Sequence, residues 1–333
     1  MKKMILLIAF IIIILIIVSA IMLTKDNKRN LTHIRVAEVT HSVFYAPQYV
    51  SINEGFFKEE GLDIELVLRP GADKVAVAVS SGDVQIGLSG SEQTIYQYEK
   101  NQENYIQTFA GLTKRDGSLI VSREKIENFT LNNLKDKKII GGREGGTPEM
   151  TFEWALRKNG IDIAKDVDID TSIPFADMKG AFTHGAGDFV ILFEPDAASV
   201  EKEGSGYVVA SVGILSGETP YTSYIAQKAY IDNNSEIIKK FTRAIYKGLQ
   251  FVKENDAAAI AESISGEFPD ISIDELIKII DRYKSQDVWT LTPVLTEESF
   301  NHLQEIMQAA GKLNKFEDFQ ILVNTNIAEE AIK

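Results

Sequence analysis

Three stretches of the 333-residue chain set polar side chains beside glycines or at the end of an apolar run, where they can meet a small molecule. The first is Gly141 to Glu149, GGREGGTPE, which offers backbone amides and a helix N-terminus to an anionic or carbonyl group. Its glycines fit neither a P-loop nor a dinucleotide fingerprint. Within it Thr147 either caps a helix beginning at Pro148 or touches a ligand, and the residue types leave both open. The second is Ser89-Gly90-Ser91-Glu92, after the apolar run Val84 to Leu88. Ser91 reads as an N-cap, and Glu92 suits the positive end of a helix; Ser89, Ser91 and Glu92 are also candidates for ligand contact. The third is Glu194, which follows Phe189-Val190-Ile191-Leu192-Phe193. An acid at the end of a buried strand hydrogen-bonds an amine or ring nitrogen of a ligand, or forms an ion pair with a basic side chain across the crevice. Tyr45 and Tyr221 are the aromatic candidates for stacking on a flat ligand, and Ser42 lies in the same loop as Tyr45. His41 and His184 have no second histidine at metal-ligand spacing and read as surface or hydrogen-bonded residues.

Composition removes several classes of chemistry. The chain has no cysteine, hence no disulfide, thiolate metal site or cysteine nucleophile. It contains no GxSxG elbow and no HExxH helix, so no enzyme activity, cofactor or metal is expected. A formal charge of −13 with no basic stripe argues against a nucleic-acid partner. The length and the 44% hydrophobic content suit two lobes with real cores.

The elements that must position these groups follow one rhythm of strand, small-residue loop and helix. Ser42 to Leu68 shows it clearly: a loop, an amphipathic helix from Ala46-Pro47 stopped at Gly55, a turn through Gly61, and an alternating strand Leu62 to Leu68. After the strand Ile34 to Val39, this is the unit of a parallel sheet. The rhythm continues through a helix from Ala72 to Ser81, weakened by Val75, Val77 and Val79, the strand Val84 to Leu88, and strands at Tyr105 to Leu112 and Ser118 to Ser122. The chain is expected to cross to a second lobe in Lys114 to Gly117 and to return near Tyr221. Beyond that the sequence is helical over Ser235 to Asn255, Asp256 to Ile264, Ser272 to Lys284 and Glu297 to Ala310. In open α/β sheets the loops at the carboxyl ends of the strands form the ligand crevice, which is where the candidates above fall.

SVFYAPQYVSINEGFFKEEGLDIEL, followed by Gly82-Asp83-Val84-Gln85-Ile86-Gly87-Leu88-Ser89-Gly90, resembles the opening of the SsuA/THI5-like (NMT1-like) substrate-binding proteins of ABC importers. The similarity continues through GGREGGTPEM, FEP and the C-terminal helices, over nearly all of residues 31 to 330. It implies a periplasmic-binding-protein type II fold: α/β, two lobes, each a mainly parallel sheet flanked by helices, hinged by two crossings. Residues 31–116 and 222–333 would form lobe 1, and 117–221 lobe 2. It implies that Gly145 and Gly146 let the backbone approach a ligand closely. Fungal pyrimidine synthases share this fold, but their cysteine-rich iron motif is absent here.

The expected function is capture of a small molecule between closing lobes and delivery to an ABC permease with its cytoplasmic ATPase. The acids and tyrosines of the candidate loops favour a nitrogen heterocycle such as a thiamine-pyrimidine precursor. A sulfonate, taurine or nitrate is the alternative and needs Arg143 or the glycine loop for the anion; an anchored receptor serving a sensor is a further one. Residues 1–24, two lysines and an apolar run, read as a membrane anchor or as a signal cleaved after Ala20. Both place the folded part outside the cytoplasm, as a monomer.

Overall fold

A computed structural model of the chain describes residues 31–333. The anchor or signal expected over 1–24 lies outside the described residues. Among the described residues no helix is long and apolar enough to cross a membrane.

Among the described residues ten strands form two five-stranded sheets. β1 (Thr32–Glu38), β2 (Leu62–Leu68), β3 (Ile86–Ser89) and β4 (Ile106–Thr113) build the first with the late strand β10 (Thr222–Gln227), in the order β2-β1-β3-β10-β4. β5 (Leu119–Ser122), β6 (Lys138–Ile140), β7 (Asp168–Asp170), β8 (Phe189–Leu192) and β9 (Tyr207–Ser211) build the second, in the order β7-β6-β8-β5-β9. The two sheets define two lobes. Each sheet is mainly parallel, as expected, but carries one reversed strand: β1 and β3 are parallel, whereas β10 runs antiparallel to β3 and β4. In the second sheet β6 is parallel to β7 and β8, and β5 is antiparallel to β8 and β9. The reversal follows from the path of the chain. β4 ends at Thr113 and β5 begins at Leu119, so the chain leaves one sheet at the carboxyl ends of its parallel strands and enters the next from that same side. The strand it enters must therefore oppose its neighbours. β10, entered from β9, repeats this in the first sheet.

The sheets are covered by helices whose apolar positions recur at helical spacing. In Ser235–Glu254, Ile238, Phe241, Thr242, Ile245, Leu249 and Val252 are all buried, as one face of a helix requires. β3, β4, β5 and β8 are buried along their whole length, and β8 is a continuous apolar run. The helix Ala72–Ser80 forms despite its three valines, because Val75 and Val79 are buried against the first sheet while Val77 stays exposed.

Helix Ser235–Glu254 crosses helix Ala46–Asn53 at very close range. Ser51 Oγ lies 3.0 Å from the Ala244 carbonyl, and a Cβ on Gly248 would sit 2.1 Å from Ser51 Oγ and 2.3 Å from the Pro47 carbonyl oxygen. Gly248→Ala is therefore expected to lower the urea midpoint, by about 1–3 kcal/mol of stability, as overpacked cores do. An unchanged midpoint would show that the two helices separate freely.

Candidate functional site

The Tyr45 end of the site is built on a short 3-10 turn, Val43–Tyr45. Ser42 Oγ accepts from the Phe44 amide (3.2 Å) and donates to the Glu194 carbonyl of the second lobe (2.9 Å). Trp289 Nε1 donates to the Phe44 carbonyl at 2.8 Å and pins the turn from behind. The Phe44 ring stands 5.6 Å from Phe193, 5.9 Å from Tyr221 and 5.4 Å from Tyr283, a cluster of rings that places Tyr45 and Tyr221. Pro47 follows in the first turn of the next helix, where no amide donor is required.

Glu92 opens helix Glu92–Lys100 and is buried. Its Oε1 accepts from Gln93 Nε2 at 2.9 Å, while Oε2 is buried with no hydrogen-bond partner. The carboxylate folds back over Gly90, where a Cβ would lie 2.0 Å from Oε2, so only glycine admits this placement. Burial pushes the Glu92 carboxyl up, against smaller pulls from Thr147, Gln93 and Arg143. Thr147, the first residue of helix Thr147–Lys158, comes from the second lobe. Its Oγ1 is also buried and unpartnered. It does not cap its helix; Gly146 occupies the cap position.

Tyr221 completes this group. Its hydroxyl is buried without a hydrogen bond of full geometry, and burial, then the charge and the nearby acceptor of Asp116, drive its pKa well above the ordinary phenol value. The hydroxyls of Tyr45 and Tyr221 both feel the field of Glu92. Glu92 thus lies within hydrogen-bonding reach of Thr147 and within electrostatic range of Tyr45 and Tyr221.

The other sequence candidates have protein partners. Ser89 Oγ donates to the Ala72 carbonyl (3.3 Å) and Ser91 Oγ to Ser223 Oγ (2.9 Å), so Ser91 stands at the cap position without capping by its side chain. The Gly145 carbonyl accepts from Tyr96 OH at 3.3 Å across the lobes, and its amide donates to Glu149 Oε2 at 3.0 Å. Gly146 donates to the Arg143 carbonyl at 3.1 Å. Glu194 is buried between the lobes, with Oε1 held by Arg282 at 2.5 Å and Oε2 by the Ala198 amide at 2.8 Å. Arg282 also grips Glu201 at 2.6 Å, and Tyr283 OH accepts from the Glu194 amide. Of the two expectations for Glu194, the geometry matches the ion pair. The group gathered around the free atoms is built without Ser42, Ser89, Ser91, Gly145, Gly146 and Glu194.

Sequence reasoning missed Phe44, Asp116, Phe193 and Arg282. Asp116 looks like an ordinary turn residue in Lys114-Arg115-Asp116-Gly117, yet it is buried, with Oδ1 accepting from the Ser118 amide at 2.7 Å and Oδ2 meeting Thr151 Oγ1. His41 Nδ1 lies 2.9 Å from Glu38 Oε1, a pairing that the histidine spacing did not reveal. A depression beside helix Ala72–Ser80, lined by Arg69, Asp73, Lys74 and Asp83, holds no buried unpartnered atom, and its Arg69–Asp83 pair is closed at 2.7 Å. Among the described residues no cluster of His, Asp and Glu fits a metal ion.

Two five-stranded sheets, each with one reversed strand where the chain crosses, give the two-lobed architecture of the periplasmic binding fold. Residues 43–259 match the family described as NMT1/THI5 like, and the chain belongs to that family. It is 43% identical over 303 residues, 91% of each chain, to YtlA of Bacillus subtilis (strain 168), whose name describes a binding protein without naming a ligand. It is 25% identical over 240 residues, 66% of each, to 4-amino-5-hydroxymethyl-2-methylpyrimidine phosphate synthase of Aspergillus parasiticus. Its fold matches that of the periplasmic nitrate-binding protein NrtA from Synechocystis PCC 6803, with a TM-score of 0.70, 16% identity, and coverage of 90% of this chain and 88% of that one.

Burial raises the Asp116 carboxyl to about 6. The folded state then holds more protons than the unfolded chain between roughly pH 4 and 6, and stability falls as pH rises through that window. Asp116→Asn keeps an acceptor for Ser118 and a donor for Thr151, and is expected to gain up to roughly 3 kcal/mol on the parent at pH 7 and nothing near pH 4. Urea midpoints at the two pH values check this; an equal difference at both would show that Asp116 does not titrate in the window.

Proposed function

We propose that the protein is the substrate-binding component of an ABC importer and captures an amino-substituted nitrogen heterocycle, of the pyrimidine kind, between its lobes. The observation that carries the reading is that three of the eleven buried side-chain atoms without a protein partner among the described residues, Glu92 Oε2, Thr147 Oγ1 and Tyr221 OH, belong to candidate loops of both lobes. Buried polar atoms are ordinarily paired, and a cluster of exceptions drawn from two lobes is explained by a ligand that pairs them. Glu92 accepts from an exocyclic amine or a ring N–H, Thr147 and Tyr221 bond the remaining heteroatoms, and Tyr45 packs on the ring. The bodies that close are residues 31–116 with 222–333, and 117–221. Capture outside the cytoplasm, with residues 1–24 as signal or anchor, delivers the ligand to a permease and its ATPase.

The relative named as an aminopyrimidine phosphate synthase supports the pyrimidine class. Its activity does not carry over, because this chain lacks any cysteine for the iron motif expected of such enzymes. An anion such as nitrate, the ligand in the name of the Synechocystis protein, is disfavoured here. It would lie against Glu92, while Arg143 is half exposed and faces Asp73 at 3.7 Å, and the Gly145 amide is given to Glu149.

Residues 31 to 333, screened by thermal unfolding against pyrimidines, flavins, sulfonates, taurine, nitrate and amino acids, are expected to respond to amino-substituted heterocycles. A ligand at a hundred times its Kd adds about 2.7 kcal/mol. Glu92→Gln is expected to weaken that ligand about tenfold or more, the worth of a buried bond to a charged acceptor. Stabilisation by sulfonate or nitrate alone would reverse the assignment.

A further inference from the structure

Five carboxylates are buried among the described residues: Glu38, Glu92, Asp116, Glu149 and Glu194. Four have donors that replace lost water. Glu38 has His41 at 2.9 Å, Gln48 at 2.9 Å and Tyr49 at 3.0 Å. Asp116 has the Ser118 amide and Thr151, Glu149 has the Gly145 amide, and Glu194 has Arg282 and the Ala198 amide. Glu92 Oε2 is the one buried carboxylate oxygen among the described residues without a partner.

Among the described residues no cation forms an ion pair with Glu92. From its own helix comes the Gln93 amide, and from the second lobe come the Thr147 hydroxyl and the more distant Arg143, whose charge is turned to Asp73. The hydroxyls of Tyr45, Tyr96 and Tyr221 face its field, and all are neutral at physiological pH. An isolated buried charge is neutralised rather than tolerated.

We infer that capture of the ligand is coupled to uptake of a proton, which comes to lie between Glu92 Oε2 and a nitrogen of the bound heterocycle. This deepens the amino-heterocycle reading and rests on it. The proton comes from solvent: a neutral weak base and a hydrated carboxylate enter, and the closed site holds their sum plus H⁺. Whether the proton sits on the ring as a cation or on the carboxyl, the pair is neutral and the orphaned oxygen gains its hydrogen bond. The same requirement selects against phosphorylated or sulfonated forms of the ring, whose negative charge has no counterpart beside Glu92.

Isothermal calorimetry with 4-amino-5-hydroxymethyl-2-methylpyrimidine, in two buffers of different ionisation enthalpy at about pH 8, counts the protons, since observed heat then depends on buffer. The expected result is uptake of about one proton per ligand, with affinity falling up to about tenfold per pH unit as alkalinity rises. Glu92→Gln keeps the Oε1 position for Gln93 and is expected to bind more weakly with no uptake, its unfolding midpoint serving as the check of folding. Binding without uptake overturns this inference and leaves the reading beneath it intact. Uptake that persists in Glu92→Gln overturns the assignment of the proton to Glu92. Absence of both heat and thermal shift with this probe overturns the amino-heterocycle reading itself.

Discussion

A carboxylate taken out of water costs several kcal/mol unless donors or a cation replace its hydration. That constraint organises the boundary between the lobes. Glu194 is placed there by the apolar strand β8 and is matched by an arginine from helix Ile273–Ser285. Because Arg282 grips Glu201 as well, one guanidinium ties two carboxylates to helix Ile273–Ser285, whose Leu276, Ile279 and Ile280 share a core with the first sheet. Ser42 and Tyr283 add hydrogen bonds to the Glu194 backbone, so this contact needs the lobes in one relative position. Glu92 Oε2 has no such match, and in the function proposed above a ligand meets its requirement.

The scaffold makes the two acids behave differently by local means. β8 ends in an aromatic, Phe193, which joins the Phe44 and Tyr221 rings and leaves the next residue to face helix Ile273–Ser285. β3 ends instead in Ser89-Gly90, and the missing Cβ of Gly90 makes room for the Glu92 side chain to lie against the backbone. Asp116, at the first passage between sheets, is satisfied by groups of the second lobe and stands beside Tyr221 at the return passage, so both connections meet under the site.

Much of the scaffold was legible because it rests on periodicity: the C-terminal helices and the strands around the crevice follow apolar spacing that local sequence carries. The strand directions were not. The reversal of β5 and β10 depends on which edge of the sheet the chain enters, a property of the path rather than of residue type. The residues of the proposed site lie where the same periodicity places strand ends. Tyr45, Glu92, Thr147 and Tyr221 all lie where strands empty into loops, but their neighbours Ser42, Ser89 and Ser91 lie there too, and only tertiary partners separate a free hydroxyl from an engaged one. Arg282, distant in sequence from Glu194, left no local sign of its pairing.

The most direct measurement is a crystal structure of residues 31 to 333 with a bound aminopyrimidine. The account predicts a ring between Tyr45 and Tyr221, a nitrogen about 3 Å from Glu92 Oε2 in hydrogen-bonding geometry, and Arg282 still on Glu194. A ring bonded to Glu194 with Arg282 displaced, or density away from Glu92 and Thr147, would contradict it.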